Sequence, residues 1–288
     1  MKILKDIDNK GINQVDYIYK KNIQEILNNG YSDNDQNVRP KYKDGTEAHT
    51  KFITQIVEVY NINKNEFPIT NLRPTAWKSG IKEILWIYQD QSNDLDLLKD
   101  KYNITWWDEW DIGNRTIGQR YGKTIKTYNL MNKLLDNLKQ KPYSRRHIIN
   151  MWQEKDFEKE GLKPCAFMIE VSVRDEFLDL SLTQRSNDYL MAGHINKIQY
   201  VALQMMIAKH IGLKPGKFLH KVQNLHIYDR HFDNAKKLIK RYEKHPNMKQ
   251  PKLILDTNKS NFYEFTISDF KINDYDPLEK MEKLEIAI

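Results

Sequence analysis

Apolar residues recur along this chain with two periods, and the switches between them mark out its elements. Phe52-Ile-Thr-Gln-Ile-Val-Glu-Val-Tyr60 is rich in β-branched residues and reads as a strand. Ser79 opens a helix in which Ile81, Ile84, Leu85 and Tyr88 share one face, and Asn93 lies in the polar stretch after it. Tyr128, Met131, Leu135 and Leu138 mark a second amphipathic helix, stopped near Pro142. The period then changes. Arg146 to Trp152 and Ala166 to Val173 read as strands. Leu178, Leu180 and Leu182 alternate with Asp179, Ser181 and Thr183, the pattern of a strand with one buried face. Helical spacing returns at Ile198, Val201, Ala202, Met205 and Met206, with Gly212 where a C-terminal cap belongs. Further short strands are expected at Phe218 to Val222, Lys252 to Leu255 and Phe262 to Ile267. The polar, turn-rich stretch from Asn28 to Gly45 reads as a long loop carrying Arg39. Helices and strands without regular βαβ alternation predict an α+β fold, with helices packed on a largely antiparallel or mixed sheet. No repeat, low-complexity tract or linker cuts the chain, so residues 1–288 are expected to form a single domain.

Composition narrows the class. A hydrophobic share of 40% supplies a core and excludes a wholly disordered chain. The longest apolar run, Ile84 to Tyr88, falls far short of the roughly 20 residues that span a bilayer. Met1-Lys-Ile-Leu-Lys-Asp carries no apolar signal core. One cysteine permits neither an internal disulfide nor a multi-cysteine metal site. A cytoplasmic protein with no metal and no membrane contact is the expectation. The 46 basic and 39 acidic side chains leave a charge of +7. The lysines alternate with acids, as in Lys155-Asp-Phe-Glu-Lys-Glu, which favours a solvated surface over a nucleic-acid groove. Nucleic acid is therefore not required, with mRNA binding left open, and small phosphate esters remain candidate substrates.

The candidate chemistry centres on that one cysteine. Cys165 follows Pro164 at the mouth of a predicted strand, and Gln184-Arg185-Ser186-Asn187-Asp188 ends the next one. A free cysteine is commonly a small buried hydrophobe. A hairpin between the two strands would instead bring Arg185 toward it, and a guanidinium there would lower the thiol pKa from about 8.5. Both readings stand on the residues alone. A papain-like hydrolase lacks its motif, and pairing Cys165 with His226 and Asn196 would be generic. Arg39, Arg145, Arg146 and Arg185, the last beside Ser186, sit at turns or strand ends, where arginines can clamp a dianion or simply meet solvent.

Read in order, these motifs resemble the folate-dependent thymidylate synthase family, in its Bacillus- and phage-type branch. Glu83-Ile-Leu-Trp86, Trp107-Asp-Glu-Trp110, Gly118-Gln-Arg-Tyr121-Gly122, Ser144-Arg145-Arg146, Pro164-Cys165, Gln184 to Asp188, Ile195-Asn196, Leu225-His226-Ile227-Tyr228 and Asp274 to Ile288 follow in the expected sequence. The match covers nearly the whole chain from about Asn37, leaving residues 1–36 as a variable N-terminal extension or helix. The resemblance implies reductive methylation of dUMP to dTMP, with 5,10-methylenetetrahydrofolate giving both carbon and hydride. It implies a homodimer formed through the sheet. Cys165 would be the nucleophile at pyrimidine carbon 6. Arg39, Arg185 and Ser186 would hold the phosphate, joined by Arg145 and Arg146 from across the interface. Asn196 would read the pyrimidine edge, since an amide offers both donor and acceptor, and His226 with Tyr228 would grip the sugar hydroxyl. Glu83 would organise proton transfers, its pKa raised by desolvation, and Tyr121 would assist removal of the carbon 5 proton. Asp188, Trp107, Trp110 and Ala287 would meet the folate, and the Ile288 carboxylate would close the site.

Several positions depart from the common family pattern. Ala166 follows the cysteine where histidine is usual. Met191-Ala192-Gly193-His194-Ile195 replaces a Gly-x-Pro-Phe loop that borders folate, Ala76-Trp77 stand where histidine and leucine are usual, and Lys123-Thr124 follow Gly122. A hydroxymethylase, in which water traps the transferred carbon, is the nearest rival. Asn196 argues against a cytidylate-specific member, where aspartate is expected. A basic nucleotide- or RNA-binding protein that keeps the fold without turnover is the rival from another class.

Overall fold

The computed structural model describes residues 13–288, so the expected extension over 1–36 is described from Asn13 onward and its earlier part lies outside the described residues. Helix α1 (Gln14–Asn29) is capped by the Asn13 side chain, which accepts from the Val15 N–H, and buries Ile18, Tyr19, Ile23 and Ile26. This segment is core. It leads into β1 (Tyr31–Ser32), the Arg39 loop and β2 (Thr50–Asn61). Three helices follow: α2 (Trp77–Ile84), which starts two residues before Ser79 and runs on as a π turn over Leu85–Gln89; α3 (Leu95–Tyr102); and α4 (Gly122–Thr127). Helix α5 (Leu130–Gln140) ends before Pro142 and buries Met131, Leu134, Leu135 and Leu138, the face expected of it. Then come β3 (Ile148–Asn150), β4 (Ala166–Arg174), β5 (Phe177–Asp188), α6 (Gly193–His210), β6 (Lys214–Tyr228), α7 (Phe232–Lys244), β7 (Lys252–Leu255) and β8 (Phe270–Asn273).

Six strands form one sheet in the order β1-β2-β6-β5-β4-β3. All its pairs are antiparallel except β5 with β6, so the sheet is mixed. The parallel pair follows from connectivity: α6 carries the chain from the end of β5 back to the start of β6, as a crossover must. The alternation of Leu178, Leu180 and Leu182 puts all three in the core, each at most 1% exposed. Fully burying such a side chain is worth roughly 1.5–3 kcal/mol, so this strand's register is firmly set.

Helix α6 is buried nearly all round and lies against β5, β6 and α2. Its approach to α2 depends on Gly80, where a Cβ would come within 2.9 Å of the Ile195 side chain. Lys197, buried within α6, pairs with Glu58 of β2 at 2.9 Å. Deleting one partner of such a pair costs about 3–5 kcal/mol, because the other is left as an uncompensated buried charge.

One predicted strand is overturned. Phe262 to Ile267 has a period-two look, yet it forms two 3-10 turns, Phe262–Glu264 and Ile267–Asp269. Asn261 accepts from the Tyr263 N–H, and Thr266 with Asp269 makes a capping box, so local polar caps override the alternation. The strand comes three residues later, as β8. The segment Phe218 to Val222 is only the middle of the long β6. Among the described residues no helix is long and apolar enough to cross a membrane.

Candidate active site

A cavity of about 470 Å³ opens where the ends of β5 and β6, the start of α6 and the loop before β4 converge. Cys165, Glu83, Tyr121, Arg185, Ser186, Asp188, Asn196, His226, Tyr228, Arg39, Trp107, Trp110 and Ala287 all line it. Arg145 and Arg146 do not; they stand exposed before β3, away from this chain's own cavity. Among the described residues no cluster of His, Cys, Asp or Glu could hold a metal ion.

The wall around the cysteine is built by the sheet. The β4–β5 hairpin forms as expected and sets the Arg185 N–H on the Cys165 carbonyl at 3.0 Å. The Arg185 guanidinium then turns back to the loop, donating to the carbonyls of Pro164 at 3.0 Å and Lys163 at 2.8 Å. On the far side the Tyr121 hydroxyl accepts the Cys165 N–H at 3.0 Å. Tyr121 itself has φ +47, a left-handed conformation costly for a bulky residue and common at functional sites. The expected lowering of the thiol pKa is corrected here. Burial pushes the Cys165 thiol up, and the charges of Arg185 and Arg39 only partly offset it.

Asn196, in the first turn of α6, belongs to an amide cluster. Its Oδ1 accepts from Gln184 Nε2 and Asn187 Nδ2, both at 3.1 Å, and its Nδ2 donates to Gln199 Oε1 at 2.9 Å. His226 shares Nδ1 with Asn224 Oδ1 at 3.0 Å, and its ring meets Tyr228 edge-on at 5.2 Å. Burial lowers the His226 pKa, which keeps the imidazole neutral at pH 7. The Asp188 carboxylate accepts the N–H groups of Leu190 and Met191, both at 3.1 Å, and so shapes the turn into α6.

The opposite wall is apolar. Trp106, Trp107, Trp110, Ile84, Ile87 and Met191 form it, with Ile286 and Ala287 from the C-terminal tail. Within it sits Glu83, whose carboxyl burial pushes up to about 7, only partly offset by the Trp106 indole donor. Trp106 lines the cavity beside Glu83 and was not singled out from the sequence. Its indole N–H donates to Glu83 Oε2 at 2.7 Å. The signal lay in the doubled Trp106-Trp107, of which only the second was singled out. The departing loop also resolves: Ile195 faces the cavity, while His194 is buried edge-on against Tyr19 with ring centroids 3.7 Å apart. The tail is tied to the Arg39 loop by two backbone bonds between Ile288 and Lys41, and Arg230 bridges Asp44 and Glu285.

A thiol, arginines and amides facing an aromatic wall across one cavity suit a nucleotide stacked on a flat heterocycle, and a family comparison decides the matter: a model of the thymidylate synthase family matches residues 17–288. The chain belongs to the thymidylate synthase family. Thymidylate synthase of Lactococcus lactis subsp. lactis (strain IL1403) is 51% identical over 280 residues, 95% of this chain and 99% of that one. That of Streptococcus gordonii (strain Challis) is 50% identical over 282 residues, 96% of this chain and 99% of its own. Among solved structures, thermostable thymidylate synthase A from Bacillus subtilis matches with a TM-score of 0.87 at 34% identity, covering 95% of this chain and 99% of that one. As a member the protein is a folate-dependent methyltransferase. It converts dUMP to dTMP with 5,10-methylenetetrahydrofolate and releases dihydrofolate through a covalent cysteine–pyrimidine intermediate.

Proposed function

We propose that this cavity carries the reaction with the following division of labour, in one catalytic domain spanning residues 1–288 of a cytoplasmic homodimer. Cys165 Sγ bonds to pyrimidine carbon 6, and the displaced electron pair passes through carbon 5 toward the O4 carbonyl. Asn196 meets that edge, because Gln199 takes only one of its two amide hydrogens. Arg39, Arg185 and Ser186 hold the phosphate. Arg145 and Arg146 complete the phosphate site of the other subunit; both are exposed and neither lines its own cavity. His226 and Tyr228, adjacent on one face of β6, take the sugar hydroxyl.

Methylenetetrahydrofolate supplies the one-carbon unit and the hydride. The aromatic wall fits its flat pterin, with Asp188, Trp107, Trp110 and Ala287 as contacts. Glu83, near half-ionised at pH 7, can both accept and return a proton at the carbon 5 side. Tyr121, bonded to the cysteine's own backbone, holds the nucleophile and assists removal of the carbon 5 proton. The observation that carries the reading is the convergence of Cys165, Asn196 and Glu83 on one cavity from three separate elements.

The test is direct. Protein with dUMP and methylenetetrahydrofolate should form dihydrofolate and dTMP in equal amounts. Hydroxymethyl-dUMP without dihydrofolate would mean that water outcompetes the hydride in this site. Full activity in Cys165→Ser would end the covalent assignment, and a dimer of Arg145→Ala and Arg146→Ala subunits with unchanged dUMP affinity would end the cross-subunit one.

A further inference from the structure

The amide cluster beneath Asn196 has a polarity that can be traced atom by atom. Gly80 presents a backbone carbonyl, a fixed acceptor, to Gln199 Nε2 at 3.2 Å. That places Gln199 Oε1 toward Asn196, so Asn196 turns its Nδ2 to Gln199 and its Oδ1 to Gln184. Gln184 must then face Asn196 with its NH2 and turn Oε1 inward, where it meets Asn187 Nδ2 at 3.2 Å and His220 Nε2. For that last contact to be a hydrogen bond, His220 has to carry its proton on Nε2.

The surroundings of His220 decide whether it does. Register sets His220 of β6 directly across from Glu58 of β2, with Nδ1 at 3.6 Å from Glu58 Oε2. An unpaired carboxylate there would draw the imidazole proton to Nδ1. This one is occupied: Lys197 Nζ and the Tyr60 hydroxyl donate to Oε2, both at 2.9 Å, and Asn22 and Tyr189 donate to Oε1 at 2.8 and 3.1 Å. None of Glu58, Lys197 and His220 is among the residues lining the cavity, and all three are at most 1% exposed.

We propose that His220, donating from Nε2 to Gln184 Oε1 beside the buried Glu58–Lys197 pair, is a positioning residue that locks the Gln184 and Asn196 amides in one orientation and so sets uracil over cytosine. This rests on Asn196 as reader of the pyrimidine edge. Asn196 Oδ1 is filled by Gln184 and Asn187, so the free hydrogen on Nδ2 does the reading: it fits the O4 acceptor of uracil and meets a donor in the amino group of cytosine. A flipped Asn196 amide would match cytosine. The flip is resisted because it would set donor against donor at Gln184 and acceptor against acceptor at Gln199, and each mismatch leaves buried polar groups unpaired. His220 holds the inner end of that series as the Gly80 carbonyl holds the outer end.

The experiment compares kcat/KM for dUMP and for dCMP in the full-length enzyme, in His220→Phe, in Asn196→Ala and in the double variant. Phenylalanine keeps an aromatic ring to stack on Phe218, 6.3 Å away, and removes the Nε2 donor together with Nδ1. The dUMP preference should fall about tenfold or more in His220→Phe, through KM for dUMP rather than for folate, and His220→Gln should restore part of it. In the Asn196→Ala background, His220→Phe should change the ratio no further. An unchanged ratio in His220→Phe, with the ratio lost in Asn196→Ala, would overturn the relay while leaving Asn196 as reader. An unchanged ratio in Asn196→Ala would overturn that reading and the relay with it. If His220→Phe does not fold, the unmodified enzyme with 15N-labelled histidine still decides: a neutral His220 with its proton on Nδ1 would overturn the proposal, and a proton on Nε2 is the expected result.

Discussion

The two walls of the cavity are made differently. The wall proposed for the nucleotide stands on strands. Cys165, Arg185, Ser186, His226 and Tyr228 sit in or beside β4, β5 and β6, and backbone bonds fix the cysteine from both sides. The wall proposed for folate draws on the end of α2, a π turn, loops and the C-terminal tail, and its material is mostly indole and aliphatic. One wall has direction, because hydrogen bonds point; the other has shape, because apolar contact adapts. Chemistry that must place one sulfur on one carbon is assigned to the rigid wall. In the proposed function, capture of a large flat cosubstrate falls to the apolar wall. If this division is right, damage to the first wall should strike turnover, and damage to the second should strike folate affinity.

The largest effect should come from Cys165→Ser. A hydroxyl is far less acidic than a thiol, and this thiol is already held up by burial. We expect kcat to fall about 10³-fold or more, with dUMP affinity within a few-fold of the parent by equilibrium titration. Equal loss of affinity would mean that Cys165 belongs to binding rather than to chemistry.

Glu83→Gln should come next, and it should move activity and stability in opposite directions. Loss of the acid–base group predicts a kcat drop of about 10²–10³-fold. The stability effect follows from linkage. The folded carboxyl titrates near 7 and the unfolded one near 4.5. Between those values the folded chain keeps a proton that the unfolded chain has released, so stability falls as pH rises through that window. Below about 4.5 the penalty is absent; by pH 8 it approaches roughly 3 kcal/mol. Glutamine carries no such penalty. Urea melts should therefore show the variant gaining stability at pH 8 and none at pH 4, and a gain of the same size at both would sink the account.

The same contrast governs what could be read from the chain. The nucleotide wall was legible because strand alternation is a short-range pattern: Leu178, Leu180 and Leu182 announce β5, and the residues that follow them fall at the cavity by geometry. The hairpin that unites Arg185 with Cys165 was likewise foreseeable. The net effect on the thiol was not, because burial is a property of the whole packing and here it exceeds the arginine's pull. The folate wall hid for similar reasons. A π turn at Leu85–Gln89 leaves no composition mark, and Trp106 looks like its neighbour until the indole is seen to meet Glu83. Helix α7 went unread because lysines and charged residues dilute its buried stripe of Ala235 and Leu238. Lys197 and His220 could not have been singled out from the sequence, since their partners Glu58 and Gln184 lie 139 and 36 positions away.

Trp106→Phe sharpens the comparison at the seam between the walls. The indole N–H favours the ionised Glu83, so its loss should push that carboxyl higher still. The inflection in kcat near pH 7 should move to higher pH, and kcat at pH 7 should change by about fivefold, the effect of one hydrogen bond to a charged group. A profile that keeps its inflection would show that Trp106 only fills space.

The smallest effect tests the closing side. Arg230 joins the tail to the Arg39 loop through Glu285 at 2.8 Å and Asp44 at 2.7 Å, with its guanidinium over the Tyr42 ring. Such exposed pairs are screened by solvent and contribute little to stability. Arg230→Ala should thus leave the fold intact and loosen the tail, while the two backbone bonds between Ile288 and Lys41 remain. A small rise in folate KM, about two- to fivefold, is the expected outcome, with kcat nearly unchanged. The dUMP KM is the discriminating number. Arg39 lies on the tethered loop, so if loop and tail move as one body the dUMP KM will rise in step with that for folate. If it stays constant, the tail closes over the cosubstrate on its own, and the two walls are mechanically as well as chemically distinct.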